Sequence, residues 1–202
     1  DNFSHAFLYS NGHMQDLGTF PGYDASSASG INSKGQVVGH CSSGVSGHAF
    51  LYSDGQMKDI GTLPGYDSSS RAIGINSAGQ VVGVSDNSDT DHILSHAFLY
   101  SNSQMHDLET LQGDVASFAN DINKAGSVVG KSENSYYTDH AFFYGNGQMQ
   151  DLNLLISANL GWLLTEATGI NDDGQICGNG TINGQSHAFL LTPVGLTAQR
   201  RH

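Results

Sequence analysis

The pentapeptide His48-Ala49-Phe50-Leu51-Tyr52 recurs along the chain and constrains its fold more than any other feature. It returns as His5-Ala6-Phe7-Leu8-Tyr9, His96-Ala97-Phe98-Leu99-Tyr100, His140-Ala141-Phe142-Phe143-Tyr144 and, altered at its end, His187-Ala188-Phe189-Leu190-Leu191. Successive copies begin about 43 to 48 residues apart, within the range of repeats that build propellers and solenoids.

Each copy opens a unit with the same internal order. The second unit reads HAFLYSDGQMKDIGTL (48–63), PGYDSSSRAIGIN (64–76) and SAGQVVG (77–83). Two spacings are fixed. The opening histidine stands eleven residues before the aspartate of DL or DI in the units of His5, His48, His96 and His140. The asparagine of IN stands seven residues before the glycine that closes VVG or ICG, from Asn32–Gly39 to Asn171–Gly178. Fixed spacing suits paired strands with set turns, and the segments of variable length read as surface loops. Asn-Gly and Asp-Gly after HAFLY mark tight hairpins. Four short strands per unit follow: HAFLY, Q-M-x-D-L, A-x-G-I-N and Q-V-V-G. The one helix candidate is Asn153 to Thr165, which Gly161 weakens.

HAFLY is apolar on both faces, as a strand buried on both sides reads. The expected fold is all-β and β-propeller-like, four four-stranded repeats with sixteen or seventeen strands. Residues 1–193 form a single repeat domain, and 194–202 read as a disordered tail. Counting strands in the order IN, VVG, HAF, DL leaves three complete sheets, a C-terminal remnant (167–191) and an N-terminal HAF–DL hairpin (5–20). Pairing of the N-terminal DL strand with the C-terminal HAF strand would close the fourth blade. One HAF strand is then surplus, and residues 1–10 become the exchange-prone element. The rival architecture is an open β-solenoid or repeat array.

Composition narrows the partners. The net charge is −12 with a pI near 4.9, which argues against nucleic acid and anionic membrane surfaces. No run approaches the ~18 apolar residues of a membrane span, and no signal-peptide pattern opens the chain, which starts inside a repeat as a fragment or a processed form does. Two cysteines, Cys41 and Cys177, make no disulfide framework. Cys177 stands where the repeat has valine, so a buried free thiol is expected.

The combined pattern, HAFLY with G-x-M-x-DLGTL, S-x-A-x-x-IN and GQVVG, resembles the bacterial HAF-repeat family over residues 5 to 193. Units 1 and 2 match best; unit 3 departs at Glu109 and Gln112, and unit 4 has NLLIS in place of GTLGG. The resemblance implies an extracellular or cell-surface repeat protein and carries over no catalytic residue.

The repeated histidines could ring a channel and bind metal. Their pairing with an aspartate at constant spacing in unit after unit favours structural hydrogen bonding instead, with both partners buried. Asp86, Asp89 and Asp91, in the run 86–91, concentrate oxygens in a variable loop, and Ca²⁺ is the cation such a run suits. Glu133, Asn134 and Asp139 echo it more weakly. A ring beside a carboxylate suits a sugar, so Tyr23 with Asp24, Tyr66 with Asp67, and Trp162 are the candidate ligand-binding residues. No hydrolase elbow, metalloprotease helix motif, phosphate loop or dinucleotide fingerprint occurs. The first reading is therefore a secreted, non-catalytic module that binds a surface glycan or a partner protein. Its rivals are a structural subunit that assembles into fibres by strand exchange and a polysaccharide-degrading enzyme.

Overall fold

The computed structural model describes residues 4–44, 46–89 and 92–194, with backbone alone at 88, 89, 92 and 93. About 62% of the described residues are strand. An N-terminal hairpin, β1 (Phe7–Ser10) and β2 (His13–Asp16), precedes three four-stranded sheets. Sheet A holds β3 (Ala25–Ile31), β4 (Val37–Ser43), β5 (Ser46–Ser53) and β6 (Gln56–Gly61). Sheet B holds β7 (Ser69–Ile75), β8 (Val81–Asp89), β9 (His92–Ser101) and β10 (Gln104–Asp107). Sheet C holds β11 (Asp114–Ile122), β12 (Val128–Asn134), β13 (Asp139–Gly145) and β14 (Gln148–Asp151). Sheet D has three strands, β15 (Trp162–Ile170), β16 (Ile176–Ile182) and β17 (Gln185–Leu191). Strands pair antiparallel in the order IN, VVG, HAF, DL, and one parallel pair, Gly47 with Ser69, couples sheet A to sheet B.

Each sheet packs on the next, so the core is a series of seams. The hairpin's Ala6 and Leu17 meet Val37, Phe50 and Tyr52 of sheet A. Val38 and Ala49 of A meet Ala72, Val81 and Phe98 of B. Val82 and Ala97 of B meet Ile122, Val128 and Phe142 of C. Val129 and Ala141 of C meet Ile170, Ile176 and Phe189 of D. The paired valines are thereby explained: successive side chains on a strand point to opposite faces, so each valine fills a different seam. The same alternation places Phe50, Phe98 and Phe142 in the seam before their sheet and Ala49, Ala97 and Ala141 in the seam after. Burial of Phe50, Phe98 and Phe142 is complete.

The glycine after VV lies opposite that Phe: Gly39 with Phe50, Gly83 with Phe98, Gly130 with Phe142, Gly178 with Phe189. A Cβ on Gly39 would strike the carbonyl of Ser27 and approach the Phe50 ring to 2.9 Å. The seven-residue spacing thus fixes where the ring lies against bare backbone.

Several expectations are corrected. The closing joint does not form: β2 pairs with β1 in a two-stranded sheet, β17 lies at the end of sheet D, and none of the sheets is closed. The segments between VVG and HAF, read as loops, extend the hairpin arms instead, out to Asp89 opposite His92; the second unit is long because its arms lengthen, and the fourth because of the insert between Asp151 and Asn171. Asn153 to Thr165 is no α-helix. It makes two 3₁₀ turns, Leu152–Leu154 and Ala158–Leu160, then Gly161 turns at φ 69° and β15 begins. Cys177 is exposed, whereas Cys41 is the buried thiol. Cys177 occupies the Val38 position, and that position is covered only where another sheet follows. The expected tail lies outside the described residues from 195 onward.

Candidate functional site

In three of its four occurrences the fixed spacing of eleven is a His–Asp hydrogen bond that ties the start of HAF to the end of DL. Nδ1 of His5, His48 and His96 lies 2.9, 2.9 and 2.8 Å from Asp16, Asp59 and Asp107. The same carboxylates accept the N–H two residues on, at 2.7 Å for Gly18, Gly61 and Glu109. The expected burial is corrected: His48 and His96 are half-buried, and His5 and the three aspartates are exposed. These residues lie at the sheet margin, where the hairpin leaves the seam. The His5 bond holds the Asp16 carboxyl below the ordinary carboxylate range, and the same bond raises the His5 imidazole. Burial works to raise Asp107, but hydrogen bonds from His96 and the Glu109 N–H outweigh it, and its pKa is lowered.

The ligand-binding candidates lie on these histidines. Tyr66 stacks on His96 of the next unit, ring centroids 4.5 Å apart. Tyr23 lies 5.6 Å from His48 and 4.6 Å from Phe20. Trp162 meets His187 edge-on at 6.0 Å. All three are half-buried at the seams, so part of each ring is already covered. Burial, then the charge of Asp59 or Asp107, raises the Tyr23 and Tyr66 phenols. Asp24 accepts the Ser43 hydroxyl at 2.9 Å, and Asp67 is exposed. In the third unit the aromatic position is Asp114, which bonds His140 directly at 3.2 Å.

Asp86 is the one acidic side chain of the run 86–91 that lies among the described residues. Asp86 accepts the hydroxyls of Ser69 (2.9 Å) and Ser95 (2.7 Å) and faces the Arg71 guanidinium at 3.4 Å. Asp91 and the side chain of Asp89 lie outside the described residues. In the weaker echo, Asp139 and Glu133 hold Lys131 at 2.9 and 3.5 Å. Among the described residues no three His, Cys, Asp or Glu are grouped to hold a metal ion.

Two polar ladders crossing the seams escaped the sequence reading. The amides of Asn32, Asn76 and Asn123 donate to the carbonyls of Asn76, Asn123 and Asn171 at 3.0, 3.0 and 3.2 Å. Buried Ser26, Ser70 and Ser117 accept the N–H of Ala6, Ala49 and Ala97 at 2.9 Å and donate to the carbonyls of Gly18, Gly61 and Glu109. The signal was present as S-x-A-x-x-IN, but a repeated serine or asparagine gives no sign of which strand it reaches.

A second missed feature is a repeated groove between outer edge strands. One groove, about 460 Å³, runs between Ile60, Thr62 and Pro64 and the next unit's Tyr100, Met105 and His106. Its equivalent, about 530 Å³, runs between Asp107, Glu109 and Thr110 and the next unit's Tyr144, Gln148 and Met149. Each joins an apolar floor of Met and Tyr to polar walls.

Stacked antiparallel sheets, seams sealed by ladders and grooves recurring at each step define an all-β repeat protein with repeated strand hairpins. Within that class the chain belongs to the DUF3466 family, described as a protein of unknown function, whose sequence profile matches residues 19–192. No curated protein matches the chain. Among the described residues no helix is long and apolar enough to cross a membrane.

Proposed function

We propose that this chain is a non-catalytic binding module of the cell exterior that takes an extended glycan along its edge-strand grooves. The observation that carries the reading is the recurrence of the groove at successive units. A site repeated at the spacing of the array suits a ligand that is itself repetitive, and linked weak sites gain avidity without new contacts. Thr62, His106, Thr110, Gln148 and Glu109 supply donors and acceptors for hydroxyls, while Met105 and Met149 offer apolar contact. The exterior location is supported by the resemblance to HAF-repeat proteins. The non-catalytic reading is supported by the His–Asp pairs, which recur in successive units and tie strands together. Tyr23, Tyr66 and Trp162 serve here as seam residues, and the sugar contact shifts to the grooves.

The test is calorimetry with an oligosaccharide series of increasing length, chosen from a glycan array. Affinity rising by tenfold or more once the ligand spans two grooves is the expected result, with His106→Ala and Gln148→Ala together abolishing the gain. Length-independent affinity, or binding untouched by the double substitution, would sink the proposal. Release of reducing ends during incubation would favour the polysaccharide-degrading alternative, with Asp107 and Glu109 the first carboxylates to replace.

A further inference from the structure

The arms of sheets A and B meet in one polar row. Ser42 faces Gly47, Gly47 faces Ser69 in the parallel pair, and Ser69 faces Asp86. Paired residues project from the same face, as do residues two apart on a strand. His40 and Arg71 therefore share that face, on β4 and β7. Gly47 is the floor. With no side chain there, a hollow of about 140 Å³ opens between His40, Ser42 and Ser46 on one side and Ser69 and Arg71 on the other. A Cβ on Gly47 would sit 3.9 Å from the His40 ring. Among the described residues the side chains of His40, Ser42 and Ser46 have no hydrogen-bond partner. The equivalent positions in the next two sheets close on themselves. In sheet B they are Val84, Asp86 and Ser95, and Asp86 accepts the Ser95 hydroxyl at 2.7 Å. In sheet C they are Lys131, Glu133 and Asp139, an ion-paired cluster with Lys131 3.5 and 2.9 Å from the two carboxylates. Sheet A keeps a basic side chain, His40, and has no carboxylate to meet it.

We propose that this hollow binds one oxyanion group, a carboxylate, sulfate or phosphate carried by a ligand. The anion supplies from outside the acid–base contact that Lys131 makes within sheet C. Its surroundings are donors: the Arg71 guanidinium, the imidazole N–H of His40 and the hydroxyls of Ser42 and Ser46. Guanidinium–oxyanion bonds are charge-assisted and can form in pairs. The carboxylate on the row, Asp86, already accepts the hydroxyls of Ser69 and Ser95. It meets Arg71 at 3.4 Å and leaves that side chain 44% exposed, with donors to spare. Burial, then the Arg71 charge, holds the His40 imidazole below its ordinary value, so the ring is neutral at pH 7. An oxyanion beside it offsets Arg71 and favours the protonated ring, so the site tightens as pH falls. The net charge of −12 repels polyanions, which suits a discrete acidic group. The site is separate from the edge-strand grooves, which run along the DL strands.

The test is NMR titration of the full chain at constant ionic strength, with sulfate, inorganic phosphate and glucuronate as probes and chloride as the reference. Saturable shifts at the His40 ring and at the Gly47 and Ser69 amides are expected, at least tenfold tighter for one of the three probes than for chloride. The His40 titration midpoint should move up when that probe is bound. The probe that binds tightest identifies the group: glucuronate a carboxylate, sulfate a sulfate ester, phosphate a phosphate monoester. Arg71→Gln removes the charge and keeps the length of the side chain, and should weaken binding at least tenfold. Ser42→Glu places a carboxylate where sheet C has Glu133. It should abolish the shifts and raise the His40 midpoint with no anion added, a readout that loss of folding would not produce. Shifts equal for chloride and all three probes would overturn the proposal. Binding unchanged in both Arg71→Gln and Ser42→Glu would overturn it equally.

Discussion

Replacing Asn76 tests whether the asparagine ladder holds the array together. Its Oδ1 accepts the N–H groups of Ala78 and Gln80 at 3.0 Å each, which fixes the amide orientation; its Nδ2 donates to Gln80 Oε1 at 2.8 Å and across the seam to the Asn123 carbonyl at 3.0 Å. Asn76 is 4% exposed. Asn76→Ala strands the half-buried Gln80 N–H and removes the cross-seam bond, while the exposed Ala78 N–H can turn to water. A stranded group costs ~1–3 kcal/mol and a lost bond ~1, so a loss of roughly 2–3 kcal/mol is expected. For a chain of this size that corresponds to a fall in Tm of about 4–12 °C. Asn171→Ala removes the same local turn in an exposed setting and should cost only ~0.5–1 kcal/mol. Asn76→Asp separates the two contributions: it keeps both local acceptors but loses the cross-seam donor and sets a carboxylate against a carbonyl. Denaturant unfolding with hydrogen exchange resolved by sheet is the assay, because repeat arrays can lose cooperativity and make a single Tm ambiguous. If Asn76→Asp matches the unmodified protein, or Asn171→Ala costs as much as Asn76→Ala, the ladder is not what couples the sheets.

Three further outcomes follow from local geometry. Gly83→Ala should destabilise by at least about 2 kcal/mol, measured by chemical denaturation, since its Cβ would strike the Arg71 carbonyl and come within 2.9 Å of Ala72 Cα, both backbone. Ser103 sits at φ 63° in the β9–β10 turn, where units 1, 2 and 4 have glycine. Ser103→Gly should therefore stabilise by roughly 0.5–1 kcal/mol in the same measurement. The N-terminal hairpin should be most protected against hydrogen exchange between two pH limits. The raised His5 contributes fully below its ordinary pKa and is lost as pH rises through the raised value, and the lowered Asp16 is lost as pH falls through its own. Protection at the Ala6 and Leu17 amides that is flat from pH 3 to 9, after correction for intrinsic exchange, would contradict this.

Much of the architecture was legible because it was repeated. The strand inventory, the order IN, VVG, HAF, DL, the three complete sheets and the two remnants all follow from the fixed spacings of seven and eleven. Closure was not legible. The same two remnants fit a ring within one chain or an open array, and only the strand pairing separates these. Burial of the histidines was misjudged because a hydrogen-bonded pair at constant spacing reads alike in a core and at a sheet margin. The aromatics at Tyr23, Tyr66 and Trp162 carried no mark of the histidine lying against them, because that partner belongs to the following unit. Cys177 misled for the opposite reason: its equivalents are buried only by a neighbour that it lacks.

The places where units 3 and 4 break the repeat show what the repeat is for. Those at Asp121 and Asn153 bond across the seam between sheets C and D, and the one at Asp114 bonds within sheet C. Asp114 stands where units 1 and 2 have tyrosine and meets His140 through a carboxylate instead of a ring. Asp121 takes the bulge position held elsewhere by glycine, and its Oδ2 accepts the Ile170 N–H across the seam at 2.8 Å. Asn153 replaces Gly18 and Gly61; its side chain exchanges two bonds with the Leu164 backbone, at 2.7 and 2.9 Å, where the bridging serine of the other units is absent. Asp151, freed from His140, accepts the Asn153 N–H at 2.8 Å. The letters change while the seam stays bonded, so what recurs is a set of cross-seam partners.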